Sequence, residues 1–135
     1  MERLKSFGLF SLLFLMVSCG NSADDLDGKW KDNIKLSQKE VNFSAESNTV
    51  DVITEGSKWW IGEIFLDNKN YDLSDVNTQA ANFVISKEDF SISRIDSKKL
   101  HIEVFANDTR DDRVLKIFLQ NGDYFDVIEV RQAGK

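Results

Sequence analysis

The chain has 135 residues, with 17 Lys or Arg, 23 Asp or Glu, one His, one Cys and no Pro. This length accommodates one domain, and 41% hydrophobic residues are enough for a packed core. A formal net charge of −6 argues against nucleic acid as a partner, because phosphate backbones select clustered basic side chains. A single Cys and a single His exclude an internal disulfide, a Cys-rich zinc site and a His-pair metal site, so we expect no catalysis, metal or cofactor.

The N-terminus carries a targeting signal. A basic start precedes an apolar run over residues 7–17, which is shorter than the roughly 20 residues that span a bilayer and fits a signal-peptide core. The run ends in Val-Ser-Cys19-Gly, which resembles a bacterial lipobox. That resemblance implies that residues 1–18 are a lipoprotein signal peptide and that lipid on Cys19 anchors the protein in a membrane. The alternative is a plain signal peptide or a membrane-anchored helix with an incidental Cys.

Residues 19–30 are short, polar and acidic, which is typical of a flexible tether. Within them, Ser22-Ala-Asp-Asp25 resembles the acidic signal that sends some Bacteroidetes lipoproteins to the outer face of the outer membrane. The expected location is therefore the bacterial outer membrane, facing either the cell surface or the periplasm. The alternative is that these residues are only a solvated linker.

Residues 31–135 alternate between apolar and polar positions, as half-buried β-strands do. Six to eight short antiparallel strands in about 100 residues predict an all-β fold in which two sheets pack as a β-sandwich. The predicted strands cover residues 41–45, 50–54, 59–65, 83–86, 90–94, 100–104, 115–119 and 124–130.

Two connections and one set of core positions follow from the same pattern. Asn121-Gly122 suits a tight hairpin, because both residue types tolerate positive φ. Residues 67–82 are polar and turn-rich, which predicts a long loop or irregular insertion anchored by Tyr71, Leu73, Val76 and Ala80-Ala81. The inward positions of the late strands should be buried, namely Ile102, Val104, Ile117, Leu119, Ile128 and Val130.

Four segments together resemble the BACON domain, the Bacteroidetes-associated carbohydrate-binding often N-terminal domain. The resemblance covers residues 34–134 and depends on the order and spacing of the four segments. It implies an immunoglobulin-like β-sandwich and a role in binding glycans or mucin. The segments are Val41-Asn-Phe-Ser-Ala45 with Thr49-Val-Asp-Val52, then Trp59-Trp60-Ile61, then Leu100-His-Ile-Glu-Val104 with Asn107 and Arg113, and finally Ile128-Glu-Val-Arg-Gln-Ala-Gly134.

Trp59 and Trp60 are the main candidates for ligand binding. As neighbours on one predicted strand they point to opposite faces, so one belongs to the core and the other is free to stack on a sugar ring. Tyr71 from the insertion is expected to assist the outward Trp. The alternative is that both Trp side chains are packed, the second one beneath residues 67–82. Trp30, at the tether boundary, is expected to cap the sandwich.

The remaining polar residues favour no reaction. Acidic clusters at 67–75 and 108–112 do not match a calcium loop, and His101 alternates with apolar neighbours and should face outward. We therefore expect a non-catalytic lipoprotein. Its domain is either a glycan-binding module or a spacer or protein-interaction module of an envelope assembly; an enzyme using loop carboxylates is a poorer third hypothesis.

Overall fold

The computed structural model describes residues 31–135. The predicted signal peptide, Cys19, the tether and Trp30 lie outside the described residues. Residues 31–135 form nine strands and no helix, so this part of the chain contains no helix long enough to cross a membrane. The strands are β1 (Glu40–Phe43), β2 (Asn48–Ile53), β3 (Trp60–Leu66), β4 (Lys69–Asn70), β5 (Phe83–Ser86), β6 (Phe90–Ile95), β7 (Lys99–Val104), β8 (Arg113–Asn121) and β9 (Tyr124–Gln132).

The strands form two sheets that pack as the predicted β-sandwich. The first sheet has five strands in the order β1-β9-β8-β3-β4, and the second has four in the order β2-β7-β6-β5. Three neighbouring strands in each sheet match an immunoglobulin-like sandwich. The run β2-β7-β6 corresponds to its strands B-E-D, and the run β9-β8-β3 corresponds to its strands G-F-C. One pair departs from the antiparallel pattern, since β1 runs parallel to β9. These strands lie far apart in sequence, so no hairpin dictates their relative direction.

The core lies between the two sheets and contains the predicted inward positions. All six have at most 2% of their surface exposed, which confirms the predicted strand faces. Antiparallel pairing puts partners on the same face, so Ile117 of β8 lies beside Ile64 of β3 and Ile128 of β9. The core is thus a set of cross-strand apolar rows facing the opposite sheet.

The β8–β9 hairpin is tight, as predicted, but its turn lies one residue later than expected. Asn121 pairs with Tyr124, which leaves Gly122 and Asp123 as the loop. Only Gly122 of these has positive φ, at 63°. A glycine with positive φ at the first central position is typical of a type II′ turn, which matches the twist of the flanking strands. Asn121 therefore extends β8 and does not form the turn.

Residues 67–82 connect an edge of the first sheet to an edge of the second. Apart from the two residues of β4, they have the irregular structure that the sequence predicted. Tyr71, Leu73 and Val76 are partly buried against the core, which confirms these three anchors, whereas Ala81, which was also predicted, is exposed. The segment therefore closes one open side of the sandwich.

Several residues that carry the family resemblance form a polar network at one end of the sandwich. Arg113 donates from Nε and Nη2 to the Gln132 side-chain oxygen, at 3.1 and 2.8 Å, and from Nη2 to the Phe105 carbonyl. Buried Asn107 donates to the carbonyls of Asp111 and Ala133. These side chains pair backbone groups of the loops there, and their role is structural.

Candidate functional site

Trp59 is the inward member of the tryptophan pair. Only 1% of its surface is exposed, and its indole N–H donates to Thr54 Oγ1 (3.0 Å) and to the Gly56 carbonyl (3.1 Å). Gly56 has no space for a side chain, because a Cβ there would lie 2.1 Å from the Asn33 carbonyl oxygen. Trp59 is therefore a core residue whose polar edge is satisfied by the connection between β2 and β3.

A buried arginine lies over the Trp59 ring. The Cζ atom of Arg94 is 3.6 Å from the ring centroid, and 2% of the residue is exposed. Its guanidinium donates to the carbonyls of Trp59 (2.8 Å), Ser57 (2.8 Å), Ala80 (3.2 Å) and Ser97 (3.0 Å). Burial lowers the pKa of Arg94, because desolvation disfavours the charged form. Arg94 thereby ties the end of the insertion and the β2–β3 connection to β6.

Trp60 is the outward member, on the outer face of the first sheet. It is half-buried and pairs with Gln120 of β8, which in turn pairs with Phe125 of β9. Register partners share a face, and 63% of Phe125 is exposed, so this row of three side chains lies on the solvent side. Trp59 is therefore the member in the core, and Trp60 lies half-buried on the outer face of the sheet.

Two more aromatic side chains extend this surface. Phe65 of β3 and Phe118 of β8 pack edge to face, with ring centroids 5.9 Å apart. We call Trp60, Phe65, Phe118 and Phe125 the aromatic face. Sequence reasoning did not identify the three Phe residues, although a signal was present: Phe118 stands between Ile117 and Leu119, an outward position where a polar residue is the usual choice.

Two shallow clefts border the aromatic face and share Gly62 and Glu63. The smaller, of about 130 Å³, is also lined by Phe118, Gln120 and Phe125. The larger, of about 570 Å³, extends over residues 70–74. The absence of a side chain at Gly62 keeps them open, since the nearest neighbour of an added Cβ would be Gln120 Oε1 at 3.9 Å. The arrangement places the exposed ring of Phe125 and the half-buried ring of Phe118 beside the Gln120 amide and the Glu63 carboxylate.

Tyr71 does not lie beside Trp60, where the sequence analysis expected it to assist in ligand binding. Tyr71 packs edge to face on Phe90 of the second sheet, with centroids 5.0 Å apart, and Lys69 Nζ lies 4.9 Å from its ring centroid. Its backbone N–H donates to the Ile64 carbonyl, four residues along β3 from Trp60. Tyr71 thus anchors the insertion between the sheets, and only borders the larger cleft.

The outer face of the second sheet carries no Trp, Tyr or Phe and combines a polar row with the exposed aliphatic residues Ile53, Val84 and Ile95. His101 Nδ1 and Asp51 Oδ1 are 2.6 Å apart, and Ser93 is the register partner of His101 on its other side. His101 faces outward as predicted, with 41% of its side chain exposed. The three residue types resemble a hydrolase triad, but the described contacts include no Ser93–His101 hydrogen bond. The neighbouring backbone N–H groups are in sheet ladders, where they cannot stabilise an oxyanion. Within residues 31–135 no three His, Cys, Asp or Glu side chains are grouped to hold a metal.

A partly buried polar cluster lies at the end of the sandwich near the β8–β9 hairpin. Asp126, whose side chain is 8% exposed, accepts from the Tyr124 hydroxyl (3.0 Å) and pairs with Lys39 Nζ (2.9 Å). Burial, together with the hydrogen bond to Asp126 and the charge of that carboxylate, raises the pKa of Tyr124 to about 12. The hydrogen bond to Asp126 also raises the pKa of Lys39, against the opposing effect of burial. Burial is thus the main cause of the raised pKa of Tyr124, and the Asp126 carboxylate favours the protonated form of both neighbours.

Comparison with known proteins identifies the fold. No family model matches the chain, and no curated protein matches it. The NMR structure of a protein from Bacteroides thetaiotaomicron is similar with a TM-score of 0.63 and 20% identity, over 82% of this chain and 94% of that one. A Bacteroides ovatus GH5 xyloglucanase in complex with a XXXG heptasaccharide has a TM-score of 0.48 and 16% identity, over 76% of this chain and 19% of the enzyme. The first likeness shows a shared all-β fold.

Proposed function

We propose that the protein is a lipid-anchored, non-catalytic glycan-binding module of the bacterial envelope. The observation that carries this proposal is the aromatic face, on which Trp60 and the 63%-exposed Phe125 lie on the solvent side beside open clefts. Single exposed apolar residues are common on protein surfaces, whereas a contiguous aromatic patch marks an interaction site. This surface is separate from the core that holds the fold together.

The chemistry of the face fits a sugar. One side of a pyranose ring presents C–H groups that pack on an aromatic ring, while its hydroxyl groups need hydrogen-bond partners. Gln120 and Glu63 supply such partners at the edge of the rings. The net charge of −6 favours neutral glycans over anionic ones.

Two features of the sequence support the proposal. The resemblance to the BACON domain implies glycan or mucin binding, and Asn107 and Arg113 from its segments have structural roles in this fold. The lipobox-like sequence around Cys19 and the acidic residues after it support anchoring in the outer membrane. The anchor would hold the sandwich at the envelope, where extracellular or periplasmic glycans are accessible.

A glycan array tests the binding function. The purified lipoprotein in detergent should bind at least one neutral glycan, and Trp60→Ala should remove the signal because it deletes a stacking ring. Val84→Ala is the matched control, since Val84 is 59% exposed on β5 of the other sheet and its loss should leave binding unchanged. An unaffected Trp60→Ala variant would contradict the proposal.

Fatty-acid labelling tests the anchor separately. Cys19→Ala should abolish incorporation of the labelled fatty acid, because only the thiol of that residue can accept the diacylglycerol. Equal labelling of the wild type and of Cys19→Ala would end the lipoprotein hypothesis and leave the glycan hypothesis intact.

The second candidate function is a spacer or protein-interaction module. It is favoured by β5, an edge strand of the second sheet that carries the exposed Val84. Edge strands have unpaired backbone groups that can add a strand from another protein. A pull-down from the same cells that recovers an envelope protein with the wild type, but not with Val84→Lys, would favour this function.

A further inference from the structure

We infer, on the basis of the proposed function, that the aromatic face binds an extended, neutral, β-linked polysaccharide that lies across the strands. Trp60 and Phe125 would stack on two sugar rings separated by one ring, and Gln120 would face the ring between them. The inference concerns the class of glycan and its direction on the sheet.

The spacing of the two rings is the first argument. Trp60 and Phe125 are register partners of the same residue, Gln120, from the strands on either side of β8. Their backbones are therefore two strand spacings apart, about 9.6 Å. In an extended β-linked pyranose chain every second ring presents the same face, at a repeat close to this distance. An α-linked glucan curves, so consecutive rings leave a flat surface.

The polar residue between the rings is the second argument. Gln120 Nε2 donates to the Gly122 carbonyl at 3.0 Å, which holds the side chain in place. Its Oε1 lies toward the open space above Gly62, at 3.9 Å from the position of a Cβ there. That oxygen is placed to accept a hydrogen bond from a sugar hydroxyl.

The negative charge of Glu63 is the third argument, and it restricts the charge of the ligand. Glu63 is exposed and lines both clefts beside the rings. A carboxylate at this position repels the carboxylate of a uronic acid and accepts hydrogen bonds from neutral sugars. The ligand class that satisfies all three arguments is a neutral ribbon-like chain such as a β-1,4-linked glucan, mannan or xylan.

Calorimetry with oligosaccharides of increasing length tests this inference. A cello-disaccharide reaches one aromatic ring, while a trisaccharide or longer chain reaches both. We expect the affinity of the lipoprotein to rise roughly tenfold between them, as expected when a second aromatic contact is added. Phe125→Ala should remove this gain, so that the variant binds the long chain no more tightly than the disaccharide. Malto-oligosaccharides of the same lengths should show no gain.

Two further variants complete the experiment. Gly62→Leu should weaken binding of the long chain by filling the clefts without removing a ring, whereas Val84→Ala should change nothing. Thermal unfolding of each variant verifies that it is folded. Equal affinity for short and long chains, or an equal gain with malto-oligosaccharides, would overturn the inference while the proposed function stands.

Two other outcomes would contradict the glycan-binding function itself, and the inference with it. If neither the array nor calorimetry detects any glycan, the proposed function itself fails, and the inference fails with it. If the wild type sediments as a dimer that Phe125→Ala dissociates, the aromatic face is a contact between copies of the chain, which overturns the glycan assignment.

Discussion

The two outer faces of the sandwich differ sharply although the strands beneath them follow one pattern. The first sheet presents the aromatic face, with Trp60 and Phe125 in one cross-strand row. The second sheet presents Asp51, His101 and Ser93 in the corresponding kind of row. Both sheets bury aliphatic residues on their inner faces. The inner positions therefore account for folding, and the difference between the outer faces points to function.

The aromatic rings on the outer face contribute less to folding than buried rings do. An exposed aromatic ring gains little folding free energy, because burial of apolar surface from water is what stabilises the fold. The outer face of the second sheet exposes polar side chains and the aliphatic residues Ile53, Val84 and Ile95, but no Trp, Tyr or Phe. The aromatic side chains of the first sheet are therefore the feature that distinguishes the two faces, and the proposed glycan binding depends on them.

The largest expected effect separates the two tryptophans. Trp59→Ala should lower the free energy of unfolding by about 3–5 kcal/mol, since it removes a fully buried aromatic side chain and its contact with Arg94. Trp60→Ala should cost much less, because that ring is partly in water already. Chemical denaturation of both variants measures the difference. Equal losses would mean that Trp60 is as much a core residue as its neighbour.

A smaller loss is expected for a single aliphatic core residue. Ile117→Ala should cost about 2–5 kcal/mol, because Ile117 is fully buried between β3 and β9. Ile53→Ala is its matched control, as 45% of Ile53 is exposed. Denaturant midpoints should fall clearly for the first variant and only slightly for the second. A change of a few tenths of a kcal/mol for Ile117→Ala would refute the assignment of the inner face.

Alkaline pH should loosen one end of the sandwich. The pKa of Tyr124 in the folded protein, about 12, lies above its ordinary value of 10.0. The stability contributed by the protonated hydroxyl is therefore complete below pH 10 and is lost as the pH rises toward 12. The raised pKa of Lys39 has the same sign, so its contribution also disappears at high pH.

Tyrosinate absorbance checks this shift. With Tyr71→Phe as background, the remaining tyrosine should titrate with a midpoint about two units above the ordinary value, because its folded pKa is about 12 instead of 10.0. In addition, Asp126→Asn should lower the midpoint by removing the carboxylate charge. A midpoint near 10 in the background variant would show that the hydroxyl is not held by Asp126.

The smallest effect on stability is expected on the outer faces. Phe125→Ala and Val84→Ala should each change the free energy of unfolding by no more than about 0.5 kcal/mol, as is usual for exposed positions. The two differ in exposure by only a few per cent, at 63% and 59%. Denaturation should therefore not distinguish them, while glycan binding should. A large loss of stability for Phe125→Ala would make the aromatic face a part of the fold.

Sequence alone determined the fold class, eight of the nine strands within residues 31–135 and the inner face of the late strands, but not the two-residue β4. Alternation with a period of two is a local property, and long strands such as β8 and β9 show it over many residues. The irregular character of residues 67–82 and its three anchors were also predictable, because isolated apolar residues in a polar stretch have few places to pack.

Tertiary structure alone decided which tryptophan faces the solvent. The inward residues are Trp59, just before β3, and Ile61 at one end of the strand but Ile64 and Leu66 at the other, so the phase of alternation reverses. A shift of register between Ile61 and Glu63 causes the reversal, since a bulge inserts one extra residue into one strand. A simple alternating pattern extended from the far end of the strand would have placed Trp60 inside.

The cross-strand neighbours of Trp60 could likewise not be predicted from the sequence. Phe125 lies 65 positions from Trp60 in the chain, and only the pairing of β3 with β8 and of β8 with β9 aligns both with Gln120. The same holds for Asp51 beside His101. Local alternation determines which residues can share a face, whereas register, set by the packing of whole sheets, decides which of them are adjacent.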